Sequence, residues 1–289
     1  MKINFTRRLS FIIVGAIYLF AAAVGVGTYQ LLPELWSFWL KLLIADIAAT
    51  VVTFIFSLVF QNASVYDPYW SVQPIVILVG FVIGQRVTLL KLLLLFIVLF
   101  WGIRLTANWA YTFKSLAHED WRYRMLAEKT GKAYPMVNFV GIHMVPTFVV
   151  YLCTLPAVAL MLRGVDGNPF SYLGLAIAWG ATTMQGIADI QMHRFRKSGK
   201  GGFIRDGLWK NSRHPNYLGE ILMWWGIGIC AVSALGATYA YLLVGAVANT
   251  ALFLFVSIPL SEGKQAKKDG YAEYKSQTRA LLPIPKNKK

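Results

Sequence analysis

The stretch RDGLWKNSRHPNYLGE (residues 205–220) runs directly into ILMWWGIGICAV (residues 221–232), and this change from a polar loop to an apolar helix decides the fold. Pro215 disfavours helical geometry at His214 and suits the first turn of a new helix. The helix that follows is apolar enough to enter a membrane. The pattern therefore predicts a loop at the water boundary that directs polar groups at a ligand.

The polar residues of this stretch are suited to ligand binding. Arg213 supplies a positive charge, and His214 can donate, accept or titrate. Asn216 and Glu220 are four residues apart on the predicted helix, so they share one face, with Tyr217 beside them. The alternative interpretation is a basic juxtamembrane loop that only anchors the helix, and the sequence leaves both open.

The composition indicates a membrane protein. Of the 289 residues, 57% are hydrophobic, whereas soluble domains have roughly 45–50%. The 10 Trp and 14 Tyr residues fit aromatic belts at membrane interfaces. A net charge of +15 would suggest nucleic acid in a soluble protein, but these charges lie in loops beside apolar stretches. We therefore predict no nucleic-acid partner.

The apolar stretches predict an all-α, multi-pass transmembrane helix bundle of about eight spans. The first is interpreted as a retained helix because no convincing signal-peptide cleavage site follows it. The third is the shortest and contains Pro74. The spans are predicted at residues 9–29, 38–60, 70–85, 88–109, 137–162, 171–192, 217–235 and 238–260.

The positive charges are distributed unevenly around these spans. Eight spans place 23 of the 28 lysines and arginines on one face, and only Arg86 and Arg163 on the other. The positive-inside rule makes the rich face cytoplasmic. We therefore expect an integral membrane protein, in a bacterial inner membrane, with both termini in the cytoplasm and membrane lipids around it.

Asp67 is the candidate catalytic acid. It lies in YDPYWSVQP (residues 66–74), at the mouth of the third span. A carboxyl among aromatic rings loses hydration, which favours its neutral form, and a neutral carboxyl can polarise a carbonyl by donating a hydrogen bond. The alternative is that Asp67 caps the following helix, with Pro68 at its first position.

Asp189 lies near the end of the sixth span and is followed by several cations. A carboxylate so close to hydrocarbon is expected to be paired or functional. Arg196 and Lys197, about two helical turns further on, could clamp phosphates. The alternative is an internal ion pair between Asp189 and His193.

Several motifs together resemble the membrane steroid 5-alpha-reductase family. The segments are GLWKNSRHPNYLGE, ADIQMHRFRKSG and GYAEYKSQTRALLPIP, extended by YDPYWSVQP, WGIRL and EDWRYRM. The match is most similar to a bacterial branch of integral membrane proteins grouped as DUF1295. It covers roughly residues 40–285, so we expect an extra N-terminal helix in residues 1–37 and a reductase-like membrane domain in residues 38–289.

The resemblance implies a seven-helix bundle around NADPH that reduces a carbon–carbon double bond conjugated to a ketone in a lipophilic substrate. Asp67 takes the position of the family's catalytic Glu. The family's partner Tyr falls on Trp101, which cannot accept a hydrogen bond from the acid. Either Tyr66 or Tyr69 substitutes for it, or the substrate differs from that of the family.

The resemblance and the charge pattern together predict the cofactor site. Arginine and lysine would bind phosphates, whereas asparagine and tyrosine would reach an amide or a ribose. The predicted cofactor-binding residues are Arg104, Asp189, Arg196, Lys197, Arg213, His214, Asn216, Tyr217 and Glu220.

Two other functions compete with the reductase. The Arg-His-Pro-x-Tyr core also occurs in isoprenylcysteine carboxyl methyltransferases, which use S-adenosylmethionine. Those enzymes usually carry a Glu pair after the last span, whereas this chain has only Glu262 there. A non-catalytic lipid-binding or transport protein is the third class.

The predicted topology can be tested with reporter fusions. A reporter inserted at Asp166 or Gly167 should be periplasmic, and a reporter after Lys289 should be cytoplasmic, because the positive charges hold their loops inside. Paired alkaline phosphatase and green fluorescent protein fusions measure this. A periplasmic C-terminus would contradict the eight-span arrangement.

Overall fold

The structure is a computed structural model that describes residues 5–284. Its α-helices are α1 (Arg7–Leu31), α2 (Phe38–Val59), α3 (Tyr69–Val82), α4 (Leu89–Thr112), α5 (Trp121–Thr130), α6 (Tyr134–Val137), α7 (Val145–Met161), α8 (Pro169–Lys197), α9 (Pro215–Leu235), α10 (Val244–Leu252), α11 (Ile258–Gln265) and α12 (Tyr271–Gln277). No β-strand occurs among the described residues, although Ser212 and Arg279 form an isolated parallel bridge. The predicted all-α class is confirmed.

Local sequence signals explain where the helices begin. Thr6 and Ser37 cap α1 and α2 by accepting backbone N–H groups. Asn168 forms a capping box with Ser171 at the start of α8. Helix α9 begins at Pro215, as the sequence predicted. These caps satisfy N–H groups that the first helical turn leaves without partners.

Within residues 5–284, seven helical segments are long and apolar enough to cross a membrane, so the protein is a multi-pass helical membrane protein. They coincide with seven of the eight predicted spans. The predicted sixth span, residues 171–192, also lies in a helix, α8, which is 29 residues long. Helix α8 is not among the seven segments because it is less apolar than they are. Its predicted span contains several polar residues: Thr182, Thr183, Gln185 and Asp189.

The chain forms two compact units that are interleaved in sequence. Unit 1 comprises Met1–Gly80 and Gly102–Tyr151, and unit 2 comprises Phe81–Trp101 and Leu152–Lys289. Helices α3, α4 and α7 therefore each contribute to both units. The predicted domain boundary after residue 37 follows the family resemblance and stays a prediction.

In unit 1, helix α2 buries a polar stripe. Asp46, Thr50, Thr53 and Ser57 follow one another at helical spacing, and all four are buried. Thr50 shares a hydrogen bond of 2.9 Å with the hydroxyl of Thr147 in α7. Hydroxyl pairs of this kind join helices in an apolar setting, where water is not available as a partner.

In unit 2, helices α8 and α9 are in backbone contact. A Cβ atom added at Gly174 would lie 2.6 Å from both the carbonyl oxygen of Gly226 and the amide nitrogen of Cys230. One added at Gly219 would lie 2.7 Å from the carbonyl oxygen of Ala181. Glycine is required at these positions because any side chain would separate the two helices.

We expect Gly174→Ala to lower the melting temperature of the protein in detergent. The added methyl group would meet backbone atoms that cannot move aside, at a cost of about 1–3 kcal/mol. Gly180→Ala is the matched control, because nothing lies within 4 Å of a Cβ added there. Thermal unfolding measures both variants, and equal melting temperatures would contradict the close packing of α8 on α9.

Candidate functional site

The turn that precedes α3 carries the predicted acid, Asp67. Its Oδ1 atom accepts a hydrogen bond from Tyr123 Oη at 2.5 Å and lies 3.8 Å from the guanidinium of Arg122. The Asp67 side chain is 16% exposed. The candidate acid is therefore paired with a tyrosine, and that tyrosine comes from α5.

Backbone contacts hold the segment that leads to Tyr123 beside the Asp67 turn. Asn62 Nδ2 donates to the carbonyl oxygen of Leu116 at 2.7 Å. The backbone N–H of Asp120 donates to Ser64 Oγ at 2.9 Å. Residues separated by more than fifty positions in sequence are thus fixed together just before Asp67 and Tyr123.

Tyr66 and Tyr69 were predicted to partner Asp67, but the structure gives their hydroxyls other partners. Tyr66 Oη shares a 2.8 Å hydrogen bond with the hydroxyl of Thr147. Tyr69 Oη donates to Asp46 Oδ1 at 2.7 Å. The two rings stack on each other, with centroids 5.2 Å apart. Both tyrosines therefore belong to the buried polar contacts along α2.

Glu220, in unit 2, is a buried carboxylate held by neutral donors. Trp224 Nε1 donates to Oε1 at 2.8 Å, and Trp101 Nε1 and Gln185 Nε2 donate to Oε2 at 2.8 and 2.9 Å. Trp101, where the resemblance places the family's Tyr, is thus a partner of Glu220. These three hydrogen bonds join α4, α8 and α9. Glu220, which was predicted to contact the cofactor, therefore has a structural role.

Arg213 is buried in unit 2 and bound by a carboxylate and by the C-terminal segment. Its Nε and Nη2 atoms donate to Glu262 Oε1 at 2.8 and 2.5 Å, and Nη1 donates to the carbonyl oxygen of Thr278. Lys275 Nζ lies 2.7 Å from the other oxygen of Glu262. The cation predicted to bind cofactor is therefore engaged in holding the loop to the tail.

The backbone of this loop is closed by the same tail. The N–H groups of Arg213 and His214 donate to the carbonyl oxygens of Arg279 and Ala280, both at 3.0 Å. Tyr274 Oη donates to the carbonyl oxygen of Trp209. The polar loop before α9 is thus built from two segments that lie far apart in sequence.

His214, Asn216 and Tyr217 are grouped at the start of α9. The imidazole of His214 is buried, lies 3.5 Å from Glu262 Oε1, and stacks on the ring of Tyr217 with centroids 5.1 Å apart. Asn216 is half-buried. The structure therefore brings together three of the predicted cofactor-binding side chains.

The remaining predicted cations lie at the end of α8. Arg196 and Lys197 are exposed in its last turn, and Asp189 is half-buried two turns earlier. Partial burial lowers the pKa of His193, and Arg196 and Lys197 lower it further. Burial and Arg196 likewise lower the pKa of Lys268, whose Nζ donates to the carbonyl oxygen of Gly202 at 2.6 Å. His193 and Lys268 are thus partly buried near exposed cations.

Arg104, the other predicted cofactor residue, belongs to unit 1. It is half-buried on α4, three residues after Trp101. Tyr123, which bonds to Asp67, and Glu262, which binds Arg213, were not among the predicted site residues. Tyr123 lies within the motif EDWRYRM, which was one signal available for it. Glu262 was noted only as a departure from the family pattern.

A multi-pass helical membrane protein with buried carboxylates near its polar loops is the class that these observations define. The family described as "Protein of unknown function (DUF1295)" matches residues 53–278, and the chain belongs to it. An uncharacterised protein of Schizosaccharomyces pombe is 24% identical over 195 residues, which cover 57% of this chain and 56% of that protein. No solved structure matches.

We expect Glu262→Ala to destabilise the protein strongly. Removal of the carboxylate leaves the Arg213 guanidinium buried beside His214 without its counter-charge, which typically costs about 3–5 kcal/mol. Glu273→Ala is the control, because Glu273 is an exposed carboxylate in the same tail. Thermal unfolding in detergent compares the two, and an unchanged melting temperature for Glu262→Ala would show that the cluster does not hold the loop.

Proposed function

We propose that the protein is an NADPH-dependent oxidoreductase that reduces a carbon–carbon double bond conjugated to a ketone in a steroid-like or other lipophilic substrate. The observation that carries the proposal is the hydrogen bond between Tyr123 and Asp67. This bond pairs the acid with a tyrosine, as the family resemblance implies. The tyrosine lies on α5, however, whereas the resemblance places it at Trp101 on α4. A bacterial inner membrane is the proposed location, with both termini in the cytoplasm.

The Asp67 carboxyl can act on the ketone oxygen. Both of its contacts described above fall on Oδ1, so a neutral Asp67 would donate from Oδ2 while Tyr123 donates to Oδ1. As negative charge develops on the ketone oxygen, this hydrogen bond strengthens and stabilises the transition state. NADPH, when bound, supplies the hydride for the β carbon, and a proton added at the α carbon completes the saturated ketone.

The side chains at the end of α8 and the start of α9 suit a dinucleotide. Arg196 and Lys197 are exposed cations, and burial together with Arg196 lowers the pKa of Lys268 nearby. Such groups suit phosphates, which bind bidentately to Arg and as point charges to Lys. Asn216 and Tyr217 offer polar groups for a carboxamide or a ribose. With Arg213 engaged by Glu262, Arg196 and Lys197 are the principal phosphate ligands in this proposal.

The S-adenosylmethionine-dependent methyltransferase is the less favoured class. That cofactor carries a sulfonium charge and no phosphate, so a cluster of cations would suit it poorly. The Glu262 carboxylate, which the methyltransferases would use, is bound by Arg213 and Lys275. These contacts support a structural role for Glu262 over a cofactor-binding role.

Two variants should separate turnover from cofactor binding. Asp67→Asn should lower turnover by about 10²- to 10⁴-fold and leave NADPH affinity near normal, because only proton donation is removed. Arg196→Ala should weaken NADPH binding by about 10- to 150-fold through the loss of a charged hydrogen bond. The measurements are NADPH oxidation with a steroid 4-en-3-one and calorimetric titration with NADPH and with S-adenosylmethionine.

Asp166→Asn and Arg163→Ala are the matched controls, because they remove the same charges from the face that is predicted to be periplasmic. Neither should alter turnover or affinity. Full activity of Asp67→Asn would return Asp67 to a structural role. Binding of S-adenosylmethionine and not of NADPH would overturn the reductase.

A further inference from the structure

Helix α1 lies before the region that matches the family, which begins at residue 53, yet it contacts the turn that carries Asp67. Tyr18 Oη is 3.0 Å from the carbonyl oxygen of Val65 and 3.3 Å from that of Tyr66. A phenol donates a single hydrogen, so the two carbonyls share it. Because these residues immediately precede Asp67, the bond fixes the backbone from which the carboxyl projects.

The same helix also holds the segment that leads to Tyr123. Ser10, which is fully buried, accepts a hydrogen bond from the backbone N–H of Leu116 on its Oγ atom at 3.0 Å. Arg7 donates to the carbonyl oxygen of Ala110 at 2.8 Å. Helix α1 is therefore hydrogen-bonded both to the turn that carries Asp67 and to the segment that leads to Tyr123.

An apolar cluster lies with these hydrogen bonds. Val14 and Ile17 of α1 pack with Val65 of the Asp67 turn and with Phe113 and Leu116 of the other segment. These residues are at most 7% exposed. Burial of this kind makes the contact rigid as well as favourable, since interiors are close-packed.

The two segments are also bonded to each other. The backbone N–H of Ala63 donates to Glu119 Oε1 at 2.8 Å, and that of Asp120 donates to Ser64 Oγ at 2.9 Å. Helix α1, the Asp67 turn and the segment before α5 thus form a closed frame of three parts. A shift in any one part would change the distance between Asp67 and Tyr123.

We propose that Tyr18 is a positioning residue for the acid, and that α1 is a working part of the site although it lies outside the family region. Tyr18 holds the Val65–Tyr66 peptide, and through it the orientation of the Asp67 carboxyl. This inference rests on the proposed reductase function. Displacement of a catalytic group by about 1 Å can lower a rate by two orders of magnitude.

The test is Tyr18→Phe, which removes one hydroxyl and keeps the ring. Turnover should fall about tenfold, whereas the NADPH dissociation constant and the melting temperature stay near those of the native protein. Tyr29→Phe is the control, because Tyr29 lies on the same helix and its ring faces Lys41. If Tyr18→Phe folds poorly, Ser10→Ala takes its place, since it removes the acceptor for Leu116.

A double-variant cycle distinguishes positioning from general stability. On an Asp67→Asn background, Tyr18→Phe should have no further effect on turnover, because the group that it positions is no longer an acid. Losses that multiply would overturn the inference. Native turnover of Tyr18→Phe beside an inactive Asp67→Asn would also overturn it and leave the reductase standing. A fully active Asp67→Asn would instead remove Asp67 from the catalytic step and overturn this inference with it, whereas binding of S-adenosylmethionine and not of NADPH would overturn the reductase.

Discussion

A carboxylate inside a membrane protein needs hydrogen-bond donors, and four such groups organise this chain. Asp46 receives donors from Tyr69 and Gln73, and Asp67 receives one from Tyr123. Glu220 receives three neutral N–H groups, whereas Glu262 is surrounded by cations. Each carboxylate is held by at least one side chain from another helix, because a buried carboxylate without donors would lose its hydration uncompensated. The positions of these acids thereby determine which helices meet within each unit.

The fold could be predicted from local features of the sequence. Seven of the eight predicted spans coincide with apolar helices, because length and hydropathy alone decide whether a segment suits a bilayer. Pro215 marked the start of α9 for a similarly local reason. Helix α8 departs from the pattern because polar residues such as Gln185 lie on its buried face, where Glu220 and α9 require them.

The partners within the site could not be predicted, since they join residues that are distant in sequence. Asp67 was identified from its motif, but Tyr123 lies 56 positions away, and nothing local distinguishes it from Tyr66 or Tyr69. Trp101 was interpreted as a loss from the acid site, whereas the structure shows it donating to Glu220, 119 positions away. Spacing along one helix indicates a shared face, but it carries no information about which helix will pack there.

The closure of the loop before α9 by the C-terminal tail has a consequence for biosynthesis. Arg213 and His214 bond to carbonyl oxygens of Thr278, Arg279 and Ala280, more than sixty residues later in the chain. A ribosome that has reached residue 270 has already made all seven apolar helices, but the buried arginine has no carbonyl partners yet. This loop can therefore close only after the last apolar helix has been synthesised. A chain that terminates early would insert into the membrane and then be exposed to proteolytic quality control at this loop.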